Sequence, residues 1–273
     1  MGLVTKYDLY RWCVQDSSRM SAFVHAAHGG EPRVLREDFA GPAGLACAWV
    51  SGGASRSAVA VDIDPAPLAH APATLAMLRG GRLDLRCDDS MTCAAKADVV
   101  AALNFAACEL HERPALLAYF RAVLGRLHSG GVLVLDIYGG STACETGRKQ
   151  ATARVPKSDP RFPGMAGKKI GYTWQQVSHD AKTGRVENRI SFKFEGVSLA
   201  DAFVYDWRLW SIAELRDLLT EAGFGRVELH STLGGAMDAD GRIVPLALDD
   251  DDRLDDDYVV YLAAFKARSL PKR

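Results

Sequence analysis

"LREDFAGPAGLA", residues Leu35 to Ala46, reads as a strand that runs into a tight turn and then a helix. Such a turn aims a helix N-terminus at a ligand. A dinucleotide loop needs three glycines at fixed offsets, yet Phe39, Pro42 and Ala43 stand where that pattern wants small residues. Taken alone, the stretch is compatible with an altered dinucleotide loop, a loop for a different cofactor, or a plain strand-to-helix turn.

The flanking chain narrows the choice. Thr5 to His28 lacks Pro and Gly and spaces Leu9, Trp12, Met20, Phe23, Val24 and Ala27 as helices do, so one or two helices are expected, ended by Gly29, Gly30 and Pro32. From there strands and helices alternate. "RVLRED" is followed by the helix "GLACAWV", and "SAVAVDI" by a helix over "DPAPLAHAPATLAML" with Asp64 as N-cap and Pro65 in its first turn. "LDLRC" and "ADVVAAL" are further strands; "RPALLAYFRAVLGRL" is a helix ending at His128–Gly131, and the apolar "VLVLDIY" follows as a buried fifth strand. This alternation predicts a parallel sheet with helices on both faces.

After Gly139 and Gly140 the character changes. The basic, Pro- and Gly-containing run Arg148–Lys168 reads as a mobile loop, and three strand-like runs come next: "KKIGYTWQQVS", "RVENRISFKFE" and "DAFVYDWRLW". A turn signal, "HDAKTG", joins the first two, which predicts a small antiparallel insertion. "SIAELRDLLTEAGF" returns to helix behind a Ser211–Glu214 capping box, and "RVELHS" and "YVVYLAAFK" are the closing strands.

Composition sets outer limits. The chain has 273 residues, 48% hydrophobic and 25% charged, with net charge -1. That is the profile of a globular, enzyme-sized protein rather than a disordered one. It shows no signal-peptide run and no membrane-length apolar stretch, so a cytoplasmic location is expected. Its six cysteines show no metal-ligand spacing, so they read as reduced thiols and no metal is expected. Charge is uneven: Glu145–Lys193 carries 11 Lys/Arg against 4 Asp/Glu, while Asp238–Asp257 carries 9 acids against 2 bases. The two segments are suited to attract each other or to face different partners.

In an open α/β sheet the ligand lies at the carboxyl ends of strands near the point where strand order reverses. Those ends here carry Glu37, Asp62, Asp88–Asp89 and Asn104–Phe105. Acids at such positions repel a pyrophosphate but suit S-adenosylmethionine, which is cationic at its sulfonium and amino groups. Asp62 is placed to accept from both ribose hydroxyls, Asp88 or Asp89 from the adenine amino group, and Ile63 to lie against the adenine ring. Gly41 lets the backbone approach.

On these motifs, "EDFAGPAG", "VAVDIDP", "LRCDDS" and "ALNFA", the chain resembles the class I S-adenosylmethionine-dependent methyltransferases. More narrowly it resembles a bacterial branch whose first motif reads R-E-D-F-C-G-T-A and which shares "LDIYGG"-like and "YDWRLWS"-like stretches. Ala40 and Pro42 depart from that motif, and "AACELHER" replaces the aromatic residues usual after Asn-Phe. The resemblance implies a Rossmann-like sheet of seven mostly parallel strands. It also implies an N-terminal helical lid (1–30), a cofactor-binding α/β domain (31–140 and 205–273) and a substrate-covering β insertion (141–204). Tyr10 and Gln15 on the lid, with Phe39 in the first motif, join the strand-end residues as the expected cofactor set.

The activity expected is methyl transfer to N or O of a small molecule by in-line displacement, leaving S-adenosylhomocysteine. Glu109 and His111 are the candidates for a general base. Tyr138, Tyr172, Trp174, Arg208 and Trp210, with Glu109, form the expected acceptor pocket, and the basic excess favours an acceptor bearing a carboxylate or phosphate. Three alternatives remain: an RNA methyltransferase using the basic 145–193 segment, a dinucleotide-dependent reductase, and a cofactor-binding protein without catalysis. No recognised nucleic-acid module is present, so nucleic acid is not the expected partner.

Overall fold

The computed structural model describes residues 3–72, 80–157, 159, 161–231, 233, 236–237 and 242–268. Its larger sheet has seven strands: β1 (Val34–Asp38), β2 (Ser57–Asp62), β3 (Leu83–Cys87), β4 (Ala97–Ala102), β5 (Leu127–Gly139), β10 (Arg226–His230) and β13 (Tyr258–Phe265). Their order is β10-β13-β5-β4-β1-β2-β3. β1 to β5 run parallel, and β13 is antiparallel to both its neighbours, β5 and β10.

Alternation along the central strands sends successive side chains to opposite faces. Val99, Ala101, Val132 and Val134 pack with α2 (Ser17–His28) and α3 (Gly44–Ser51). Val100, Ala102, Leu133 and Leu135 pack on the other side with α5 (Arg113–Arg126) and α6 (Ile212–Ala222). Both faces of β4 and β5 are therefore dry, which explains why their sequences read as unbroken apolar runs.

Helix boundaries follow local chemistry. The Ser211–Glu214 capping box is formed in both directions, and the Asp64 side chain accepts from Ala66 N at 2.8 Å at the start of α4 (Pro65–Leu68). The rest of the helix expected after Asp64 falls partly on residues 73–79, outside the described residues. α5 ends sooner than its sequence suggests. Leu127 is its C-cap, and β5 begins at that residue rather than after Gly131, through an irregular register beside β4.

The second sheet, β6 (Gly147–Arg154), β7 (Lys169–Asp180), β8 (Arg185–Phe194) and β9 (Val197–Arg208), is antiparallel throughout. It has four strands, not three. The run expected as a loop from Arg148 opens as β6, an almost wholly exposed edge strand with no apolar alternation to betray it. β9 continues past residue 204 to Arg208. A two-stranded pair, β11 (Ala236–Met237) with β12 (Ile243–Val244), completes the strands.

The N-terminal helices divide their contacts. α1 (Lys6–Cys13), capped by Thr5 and Asp8, lies on β6 and β7, whereas α2 packs on the larger sheet. Buried Asp8 binds Arg11 and Arg161, and Asp159 takes the Trp12 indole N–H at 3.1 Å, fastening α1 to the 155–168 segment. Many cations of the basic segment are engaged within the chain: Lys149 with Asp257, Lys168 with Glu195, Arg185 with Asp206, and Arg189 with Glu187 and Asp201. The Lys149–Asp257 pair joins the basic segment to the acidic run. Among the described residues no helix is long and apolar enough to cross a membrane.

Candidate active site

Strand order reverses between β1 and β4, and a cleft of about 440 Å³ opens at the carboxyl ends there. The turns after β1 to β4 form its floor and one side. Lys6, Tyr7 and Tyr10 of α1 with Phe203 and Tyr205 of β9 close it from above.

The backbone beneath the cleft is held in an unusual state. Phe39, Ala43, Asn104 and Phe105 all have left-handed φ, between 52° and 65°, and Gly41 lies at 51°. For non-glycine residues each such conformation costs roughly 1–3 kcal/mol and survives only where its surroundings enforce it. Carboxylates hold two parts of this backbone. Asp136 on β5 accepts from Asn104 N at 3.1 Å and Phe105 N at 2.8 Å, and Asp62 accepts from Gly41 N at 2.6 Å.

The three charged residues of β1 point inward. Arg36 is fully buried, paired with Asp38 at 2.6 Å, and donates to the carbonyls of Ser90, Cys93 and Ala95, pinning the loop after β3. Asp38 also accepts from the Tyr119 hydroxyl. Glu37 is not on the cleft wall: it lies under the loop, its carboxylate accepting from Ala46 N at 2.8 Å, where it caps α3. Burial drives its pKa up to about 8, against the lowering effect of the Ala46 and Leu45 amides. The expectation that Glu37 faces a cationic ligand is thereby corrected; its carboxyl oxygen serves as an acceptor for the amides that open α3.

Of the other expected cofactor residues, Tyr10, Gln15, Phe39, Gly41, Asp62, Ile63, Asp89 and Asn104 line the cleft together. Asp88 does not; it accepts from Asp89 N outside it, while Asp89 accepts from Met91 N. Phe105 lines a second, inner cavity of about 240 Å³ behind the cleft. Ile63 is 75% exposed, an apolar side chain left on an open wall. At the start of α3, Gln15 Oε1 and Ser17 Oγ are shut off from water without a hydrogen-bond partner, and a Cβ on Gly44 would stand 3.0 and 2.7 Å from them.

The expected acceptor residues part company. Glu109 lines the cleft and Trp174 the inner cavity. Glu109 is exposed to the cleft, and the desolvation its neighbours still impose, with the Asp62 charge second, raises its pKa to about 7. Tyr138 lies between Phe105, Trp174 and Trp207 with its hydroxyl tied to Gln176 and Asn188, and Tyr172 packs on Phe192. Arg208 and Trp210 do not face the pocket. Arg208 donates to His111 O at 2.9 Å and the Trp210 indole to Leu110 O at 3.1 Å, so they brace the turn that presents Glu109. The His111 ring is taken up by the Asp206 carbonyl at 2.7 Å, away from the cleft lining.

Sequence reasoning missed Asp136, Tyr205, Phe203 and Tyr7. A lone acid in the apolar run "VLVLDIY" was the available signal for Asp136; it is buried to 2% and raised to about 7 by that burial, with the Phe105 and Asn104 amides opposing. No lining residue of the inner cavity is Lys or Arg among the described residues, so the anionic acceptor expected from the basic segment finds no counter-charge there.

No protein-family model and no curated protein matches the chain. Solved structures do match in fold. An S-adenosylmethionine-dependent methyltransferase from Clostridium acetobutylicum aligns with TM-score 0.67 at 14% identity, covering 95% of this chain and 96% of that one. DesVI of Streptomyces venezuelae aligns at 0.66 and 17%, covering 97% and 100%. CalS10, an amino pentose methyltransferase from Micromonospora echinaspora solved with S-adenosylmethionine bound, aligns at 0.64 and 16%, covering 98% and 99%. The chain thus shares the Rossmann-like fold of these proteins over nearly its whole length.

Proposed function

We propose that this protein is an S-adenosylmethionine-dependent methyltransferase acting on N or O of a small molecule. The observation that carries the reading is the cleft itself. It gathers acids and an open apolar wall at the strand-order reversal and has no three-glycine loop for a pyrophosphate. The donor set fits the cofactor along its length. Asp62 accepts from the ribose hydroxyls, Ile63 and Met91 flank the adenine, and Asp89 accepts from its amino group. Gln15, which lines the cleft on the side of α1, lies toward the amino-acid end.

When bound, S-adenosylmethionine supplies a methyl group already activated by its sulfonium. The chain's own residues then hold the acceptor in line and exclude water, a proximity effect worth up to roughly 7–11 kcal/mol. Tyr10, Asn104 and Tyr205 line both the cleft and the inner cavity and form the partition between them. Asp136 fixes the Asn104–Phe105 part of that partition, and α1 with Phe203 covers the cleft. That two of the aligned proteins are methyltransferases, one of them of an amino pentose, agrees with a small acceptor. Titration calorimetry tests the reading: S-adenosylhomocysteine is expected to bind in the micromolar range or tighter, and NAD to give no heat. Binding of NAD in place of S-adenosylhomocysteine would refute it.

A further inference from the structure

The inner cavity is built for a different kind of molecule than the cleft. Its walls include Phe105, Trp174, Trp207 and Tyr261, with Ile190 and Val259. Among the described residues its one acid, Asp136, is committed to the Asn104 and Phe105 amides. At the partition stand the Tyr10 and Tyr205 hydroxyls, and Glu109 on the cleft side is near enough for its charge to act on both. An apolar ring is therefore favoured inside, and a positive or neutral polar group at the mouth.

We propose that the methyl acceptor is an amine on an apolar, ring-bearing body, the ring seated in the inner cavity and the nitrogen at the Tyr10–Asn104–Tyr205 partition, where Glu109 takes its proton. The proposal rests on the cofactor reading above. It excludes other acceptors by charge and acidity. A carboxylate or phosphate would meet acids there, because among the described residues no Lys or Arg lines the cavity or the partition; Lys6 lines the cleft, not the cavity. An aliphatic hydroxyl, with a pKa near that of water at about 16, is far beyond a carboxylate base. A phenol is acidic enough, but the phenolate would be formed among acids.

An alkylammonium near pKa 10 is drawn to those acids and lies within a few units of Glu109. Its proton passes to the Glu109 carboxylate. The freed nitrogen lone pair forms the N–C bond while the departing sulfur keeps the electron pair of the C–S bond. The methylated ammonium is left with one N–H fewer, and Glu109 returns its proton to water. Aromatic faces around the nitrogen favour its cationic form before and after transfer.

Trp174 and Trp207 give a binding signal independent of turnover. With the protein saturated in S-adenosylhomocysteine, tryptophan quenching is titrated with 2-phenylethylamine, 4-ethylphenol and 3-phenylpropionate, probes of one ring and three head groups. The amine is expected to bind at least tenfold tighter than the other two, and more tightly as pH rises through about 7 and Glu109 ionises. Glu109→Gln should cost the amine about tenfold and flatten that pH dependence. Val259→Trp, which fills the cavity from its edge, should abolish amine binding with S-adenosylhomocysteine still bound. Equal or tighter binding of the phenol or carboxylate, or no quenching by the amine, overturns the proposal. Failure of S-adenosylhomocysteine to bind overturns the cofactor reading instead, and this inference with it.

Discussion

On β1 of the larger sheet, Arg36, Glu37 and Asp38 are each exposed by 5% or less, whereas on the smaller sheet Arg185, Arg189 and Lys149 make their ion pairs at the surface. Charges of the first kind are costly to bury and are kept only with partners in place. Arg36, paired with Asp38, fixes the loop after β3, Glu37 fixes the start of α3, and Asp136, buried likewise on β5, fixes the turn after β4. Charges of the second kind hold strand neighbours together weakly and leave the inner face of that sheet free to form an aromatic wall. Under the proposed function, the contrast divides labour between a rigid floor for the cofactor and a wall for the acceptor whose exterior is open to change.

The contrast is broken most severely at Arg36. Arg36→Met leaves Asp38 as an unpaired buried charge, and a loss of about 3–5 kcal/mol is expected in denaturant unfolding. A cost below about 1 kcal/mol would show that the pair is not structural. A pH effect of roughly 2–4 kcal/mol comes next. Glu37 has a folded pKa of about 8 against an ordinary value of 4.5, so its contribution is fully present below pH 4.5 and is lost as pH rises through about 8. Unfolding midpoints should therefore fall between pH 5 and pH 9, and Glu37→Gln should flatten that fall. An unchanged slope in the variant would show that Glu37 is not buried in its neutral form.

Asp136→Ala orphans the Asn104 and Phe105 amides in a strained turn, with an expected loss of about 2–3 kcal/mol and weaker S-adenosylhomocysteine binding. Affinity unchanged at reduced stability would separate this turn from the cofactor. The smallest effect belongs to the other sheet. Arg189→Ala removes ion pairs whose members are each more than a third exposed at the side chain, and should shift stability by less than about 1 kcal/mol. A larger loss would mean that the two sheets do not differ as described.

Much of the larger sheet was legible because β2, β4 and β5 contain dense apolar runs bounded by turn residues, and because Asp64, Ser211 and Glu214 are caps whose local chemistry needs no tertiary partner. The edge strand β6 was hidden for the opposite reason: "GRKQATAR" pairs through its backbone and leaves its side chains in water, so no periodicity marks it. In the site, Asp62, Asp89 and Asn104 could be read from their places at strand ends. Glu37 sits at an equally good place, but adjacent α3 claims its carboxylate, a fact of packing that spacing does not encode. Arg208 and Trp210 belong to a conspicuous stretch, "YDWRLWS", whose members divide between the inner cavity, where Trp207 lies, and the turn carrying Glu109. Alternation along β9 separates Trp207 from Arg208, and Trp210 lies past the strand's end. Asp136 and Tyr205 came to light only when β5 and β9 were brought beside the turn after β4.

The central claim is that Asp62 holds the ribose of a methyl donor while also holding Gly41. Calorimetric titration of S-adenosylhomocysteine into the wild-type protein and Asp62→Ala measures it directly. The account predicts a loss of about 1.5–3 kcal/mol, roughly 10- to 150-fold in Kd, with the variant still folded. Equal affinity in the two proteins would contradict it.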